Sequence, residues 1–167
     1  MAFSSFDGQS VHSRIVLFKG MIRGGFSFYT NYQSAKGKHV DQHPQGSLLF
    51  YWKELDTQVR MNGSIKKLSA AESDEYFASR DRLSQIGAWA SQQSQKIESY
   101  QVLQDRMAEF EKKFTGTSVP RPPHWGGFHL IPLTMEFWFA KPGRLHERYC
   151  FERSSETSEW SRSLKFP

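Results

Sequence analysis

Cations set inside or beside apolar runs are the residues here with the clearest chemical use. Arg14 and Lys19 bracket Ile15-Val16-Leu17-Phe18, and Arg144 and Arg148 bracket Leu145-His146-Glu147. A guanidinium or ammonium held in a strand needs a counter-charge, and a phosphate supplies one with several oxygens for charge-assisted hydrogen bonds. A surface ion pair or a snorkelling stem would also satisfy such a cation. Tyr76 and Arg80 stand four apart in a helical stretch, so they share one face while Phe77 points elsewhere, and Ser84 lies beyond. Arg144 and His146 are two apart on an expected strand, which points both to one side. Signatures of other chemistry are absent: there is no Gly-x-Gly-x-x-Gly, no phosphate loop ending in Gly-Lys-Ser/Thr and no Gly-x-Ser-x-Gly. The six histidines are read as forming no metal site. Asp41 and Glu54 flank an apolar strand, nothing in the sequence pairs them as an acid and a base, and they are read as solvated carboxylates.

The elements that must position these side chains fall into three parts. Residues 11–18, 26–30, 47–52 and 58–65 read as strands. The third is apolar enough to be buried on both faces, and the fourth alternates as a half-buried strand does. A turn is expected over 20–25 and a short helix over 35–40. The period then changes. Ser69 followed by Glu72 forms a capping box, and Leu103, Met107, Phe110 and Phe114 make one apolar stripe on a helix over 98–114. Gly116 stops that helix, and Val119-Pro120-Arg121-Pro122-Pro123 is a stiff connector. Strands resume at 128–131, 135–139 and 145–151, with a tight bend at Gly126-Gly127. The expectation is one domain over 1–167, mainly β, with a helical insertion at about 69–116.

Composition narrows the partners. The 22 Lys and Arg against 17 Asp and Glu are scattered rather than run together, which argues against nucleic acid and suits phosphate pockets. Aromatic residues make up 15% of the chain, enough for strands or a ring-binding cleft. Cys150 is the one cysteine, so no internal disulfide forms and a reducing compartment follows, with Cys150 itself a buried thiol on a strand. No apolar run approaches the ~20 residues of a membrane span, and residues 1–9 lack the features of a signal peptide. The expected location is the cytoplasm, away from membranes.

Arg14-Ile15-Val16-Leu17-Phe18-Lys19, Phe28-Tyr29-Thr30-Asn31, Ser84-Gln85-Ile86-Gly87-Ala88-Trp89, Gln92-Gln93-Ser94, Trp125-Gly126-Gly127, Glu136-Phe137-Trp138 and Arg144-Leu145-His146-Glu147-Arg148 follow in a specific order and spacing. From about Gly8 to Trp160 this pattern resembles the pyridoxamine 5′-phosphate oxidase family. The resemblance implies an FMN-binding split β-barrel that forms a homodimer, with one FMN in each of two clefts between subunits. It implies FMN contacts from Arg14, Ile15, Val16, Leu17, Phe18, Lys19, Tyr29, Thr30, Lys36, Gln58, Gln93, Ser94, Trp138 and Arg148. Substrate contacts are implied for Lys19, Tyr76, Arg80, Ser84, Arg144, Leu145 and His146. Arg144 and His146 take the catalytic roles of orientation and charge stabilisation.

The implied reaction oxidises pyridoxamine or pyridoxine 5′-phosphate to pyridoxal 5′-phosphate. Hydride passes from C4′ to the flavin, and O2 reoxidises the flavin to give hydrogen peroxide. The chain departs from the family at Ser34-Ala35-Lys36, where the family usually reads Ser-Arg-Lys, and in its final Leu164-Lys165-Phe166-Pro167. The family's usual segment before the first barrel strand is expected to be missing. The alternative is a protein of the same fold that holds FMN or pyridoxal 5′-phosphate with slow or no turnover. Ala35 favours it, while intact Arg144-Leu145-His146 with Tyr76, Arg80 and Ser84 opposes it.

Overall fold

In a computed structural model that describes residues 1–167, nine strands form one sheet and four α-helices accompany it. The strands are β1 (Ala2–Phe6), β2 (Val11–Ile15), β3 (Met21–Ile22), β4 (Gly25–Asn31), β5 (Gln45–Trp52), β6 (Thr57–Lys67), β7 (Trp125–Phe139), β8 (Glu147–Glu152) and β9 (Ser161–Leu164). The helices are α1 (Ala35–Gln42), α2 (Ala70–Ala78), α3 (Arg82–Ala90) and α4 (Tyr100–Lys113). The sheet order is β2-β1-β5-β6-β7-β4-β3, with β8 added to β7 and β9 to β8. No helix is long and apolar enough to cross a membrane. The chain forms two compact units, one of residues 1–28, 39–66 and 129–167, the other of residues 29–38 and 67–128.

In the first unit β1 lies between β2 and β5, with Phe3 opposite both Arg14 and Leu48. Alternation along β6 turns Val59, Met61, Gly63 and Ile65 inward, as its sequence pattern predicts. Phe3, Phe28, Leu48, Met61 and Leu130 fill the core, and the Phe3 and Phe28 rings lie 4.8 Å apart. A side chain at Gly63 would run into the backbone of Ile131 and Pro132, so glycine is required by close approach there. Two expectations change. β5 is not buried on both faces: Leu48 is enclosed, but Tyr51 is 58% and Trp52 42% exposed. The strand expected over 11–18 stops at Ile15 on the sheet edge, and Ile15 and Leu17 face outward. An apolar run does not reveal which of its faces the same chain covers.

In the second unit Phe77, Ile86, Phe114, Val119 and Trp125 form the core, flanked by Tyr29, Tyr76, Trp89, Met107 and Phe110. The capping box forms as read: Ser69 Oγ accepts from the Glu72 N–H at 3.2 Å, and the Glu72 carboxylate accepts from the Ser69 N–H at 2.7 Å. The stripe on α4 packs Met107 and Phe110 against the core, with Phe114 buried at the helix end. Gly116, at φ +72°, terminates it. Gly126-Gly127 make no bend, for β7 runs unbroken from Trp125. A Cβ on Gly126 would collide with the Tyr32 phenol and crowd Ser73 Oγ, so the pair permits close approach rather than a turn.

Candidate active site

The second unit places Arg80 over an aromatic floor. Tyr29 and Tyr76 stack with centroids 3.9 Å apart and planes 23° apart, and Tyr76 lies parallel to Trp125 at 6.2 Å. The Arg80 guanidinium stands 4.7 Å from the Trp125 centroid and 5.6 Å from that of Phe77. Its Nη1 is buried with no hydrogen-bond partner. Burial pushes the Arg80 pKa down from its ordinary value, against the opposing influence of Tyr76 and Asp81. The expected single helical face is not what joins Tyr76 to Arg80. α2 ends at Ala78, and Arg80 lies in the short link before Asp81 caps α3 by accepting the Ser84 N–H at 2.8 Å. Phe77 does not point away either; it shares the floor beneath Arg80 with Trp125. Asp81 holds Ser84 at the start of α3, and hydrogen bonds from the Ser84 hydroxyl and N–H lower the Asp81 pKa.

A second cluster in the same unit gathers Thr30, Ser34, Lys36 and Gln93. Lys36 Nζ donates to Thr30 Oγ1 at 3.1 Å and to Ser34 Oγ at 3.3 Å. Thr30 Oγ1 donates to Gln93 Oε1 at 2.9 Å, and that oxygen also accepts the Asn31 N–H at 3.4 Å. Ser34 Oγ accepts the Gly37 N–H at 3.4 Å at the start of α1, where the helix dipole favours an anion. Ala35, the first residue of α1, is exposed. Ser94 follows Gln93 in a loop at φ +73°.

The first unit gathers Trp138, His146 and Arg148. Trp138 pairs with Arg148 across β7 and β8, and the Trp138 and His146 ring centroids are 4.5 Å apart. His146 Nδ1 accepts the Lys141 N–H at 3.1 Å, so a neutral ring carries its proton on Nε2 and presents a donor. Arg144 and His146 do not lie on one strand. Pro142-Gly143-Arg144 form a 3₁₀ turn with Gly143 at φ +67° and Arg144 at φ +62°, and β8 starts at Glu147. The alternation argument for their common side therefore fails, and the turn sets their directions. Arg148 is held on both edges: Nε and Nη2 donate to Glu136 at 3.2 and 2.8 Å, and Nη1 to the Phe166 carbonyl at 2.8 Å. Burial alone would raise the Glu136 pKa, but hydrogen bonds from Arg148 and Arg60 outweigh it and hold the carboxyl at about 2. Arg14 Nη1 donates to Ser5 Oγ at 2.7 Å. The Lys19 N–H bonds the Ser27 carbonyl at 3.0 Å, and Gln58 sits opposite Tyr51 on β6.

Two features are not legible in the sequence. Trp125 stands in the Trp125-Gly126-Gly127 motif, which does not mark it as the ring beneath Arg80. Asp7, His12 and His39 come together in the first unit from a turn, a strand and a helix, and no spacing along the chain joins them.

The fold defines a mainly β protein of the split-barrel class, in which each unit carries its own cluster of cations and aromatic rings. Residues 1–114 match the family described as pyridoxamine 5′-phosphate oxidase, and residues 125–167 match the pyridoxine 5′-phosphate oxidase C-terminal dimerisation region. The chain belongs to the pyridoxamine 5′-phosphate oxidase family. It is 49% identical over 168 residues to a pyridoxine/pyridoxamine 5′-phosphate oxidase of Bdellovibrio bacteriovorus, covering 100% of this chain and 85% of the relative. It is 54% identical over 155 residues to the protein of that name from Paraburkholderia xenovorans, covering 93% and 72%. Among solved structures it is similar to PhzG from Burkholderia lata in complex with tetrahydrophenazine-1-carboxylic acid. The TM-score is 0.92 at 29% identity, over 99% of this chain and 81% of that one.

Proposed function

We propose that this chain is an FMN-dependent oxidase that converts pyridoxamine or pyridoxine 5′-phosphate to pyridoxal 5′-phosphate and acts as a homodimer. The observation that carries the reading is the buried, unpartnered Nη1 of Arg80 above the Trp125 ring. An orphaned charged donor is costly, and a phosphate oxygen relieves that cost while the ring floor supports the guanidinium from below. Tyr76 near the end of α2 and Ser84 at the start of α3 are the neighbouring hydroxyls, and the Ser84 hydroxyl would turn from Asp81 to the substrate's phosphate.

The residues also fit FMN. Thr30, Ser34 and Lys36 at the start of α1 bring two hydroxyls, an ammonium and a helix N-terminus together, and a phosphate monoester would exchange for the bonds that the Thr30 and Ser34 hydroxyls now donate to Gln93 and to the Asn31 carbonyl. Arg14 through Lys19, Tyr29, Gln58, Gln93, Ser94, Trp138 and Arg148 are the remaining residues assigned to the cofactor. The bound flavin would supply the two-electron acceptor that takes hydride from C4′ and is returned to its oxidised form by O2. The chain's own contribution is placement. Trp138 supports the His146 ring, and the His146 Nε2–H is a donor, which suits charge stabilisation near C4′ rather than proton removal. Arg144, on its turn, adds a fixed positive charge.

Ala35 favours the second reading, a holder of FMN or pyridoxal 5′-phosphate that turns over slowly or not at all. One assay separates the two. Pyridoxine 5′-phosphate is added in air to flavin-loaded protein, and aldehyde and peroxide are followed together. Equal yields of both support the oxidase; neither product above a flavin-only control leaves the holder.

A further inference from the structure

We propose that Asp7, His12 and His39 form a binding site for one divalent transition metal of the zinc class, which staples the β1–β2 hairpin to α1. The three residues each offer one ligand atom, and those atoms all lie within 4.8 Å of one another. Zinc bonds to imidazole nitrogen and carboxylate oxygen are about 2.0–2.2 Å long, so ligand atoms around it sit roughly 3.4 Å apart in a tetrahedron. Asp7 Oδ2 and His12 Nε2 form an ion pair at 2.7 Å, so they must open by about 0.7 Å to admit the metal, while the wider spacings, up to 4.8 Å, close by about 1.4 Å. His12, on the exposed β2 strand, has the freedom to make that adjustment. Two imidazoles and one carboxylate are a borderline donor set that suits zinc, cobalt or nickel over magnesium or calcium.

The groups behind the ligands are those a metal needs. A metal on His39 Nε2 requires the proton on Nδ1, and Ser5 Oγ lies 3.1 Å from Nδ1 to accept it. Ser5 is itself buried and fixed by Arg14, whose Nη1 donates to the same oxygen at 2.7 Å. Asp7 Oδ1 accepts the N–H groups of Gln9 and Ser10 at 2.8 and 2.7 Å, which leaves Oδ2 for the metal. The ligands come from the hairpin turn, from β2 and from α1, so the metal would close a long segment of chain. The fourth position is left to water. His43 lies four residues beyond His39 but packs its ring against Phe6 at 5.3 Å, outside the three-ligand group.

The site does not rest on the flavin reading, and its test uses the whole 167-residue chain as purified, stripped with a chelator. Calorimetric titration with Zn²⁺, and with Co²⁺ followed by its visible absorption, should show one metal per chain. His12→Ala and His39→Ala should each weaken binding at least about ten-fold, and Ser5→Ala about ten-fold as the loss of an outer-shell partner. His43→Ala should leave the affinity unchanged. Zinc should raise the unfolding temperature of the parent but not of His39→Ala, whose circular dichroism without metal should match the parent's. Absence of stoichiometric binding overturns the proposal. So does a loss in His43→Ala equal to that in His39→Ala, because an ordinary helical histidine pair would then be the binder.

Discussion

Lys36 and Ala35 sit on either side of the question of how tightly an anion is held at the start of α1. The Lys36 ammonium reaches two hydroxyls there, whereas Ala35 contributes no charge. A charge-assisted hydrogen bond is worth about 1.5–3 kcal/mol, roughly a ten- to hundred-fold change in affinity. Lys36→Met should therefore weaken FMN binding by about that factor and Ala35→Arg should strengthen it, both read by flavin fluorescence quenching. Arg80→Met should raise KM for the phosphorylated substrate about ten- to hundred-fold, and steady-state kinetics would show it. Glu136 links the residue scale to stability. Its carboxyl falls from an ordinary 4.5 to about 2 in the fold, so its contribution is full above pH 4.5 and is lost as pH falls from 4.5 towards 2. The shift corresponds to about 3 kcal/mol. Glu136→Gln should lower the unfolding temperature at neutral pH and flatten its fall between pH 4.5 and 2.

At the scale of elements, local signals were legible and directional ones were not. Ser69 and Glu72 announce α2 because capping is a contact between near neighbours, and the 103/107/110/114 stripe announces α4 because its period is its packing face. α3 was missed although Asp81, followed by apolar Leu83, Ile86 and Ala90, carries a cap and a helical spacing. Its short length hid it in the link beyond α2. Arg144 and His146 were misread as strand residues because Gly143 supplies a left-handed turn between two β segments. Gly126-Gly127 were read as a bend because glycine marks turns and close approaches alike, and only the Tyr32 phenol beside Gly126 decides between them. Gly63 is the sharper case, since backbone atoms that cannot rotate away meet its face. Gly63→Ala should cost about 1–3 kcal/mol, read as a lower urea midpoint.

At the scale of the molecule, family and fold class were legible because a long series of short motifs keeps its order over nearly the whole chain. The covered faces were not. Ile15, Leu17, Tyr51, Trp52, Leu164 and Phe166 are apolar yet exposed on one chain, and periodicity does not separate a face buried in a chain from one buried by a second copy. If these faces are covered in a homodimer, light scattering will give twice the mass of one chain, and Leu164→Asp will shift it towards the monomer. The central claim is that this chain holds FMN, and equilibrium titration of the flavin-stripped, folded protein with FMN tests it most directly. Binding should saturate at one FMN per chain, with quenched flavin fluorescence and a yellow protein that keeps its colour through gel filtration. A folded protein that remains colourless at excess FMN would contradict it.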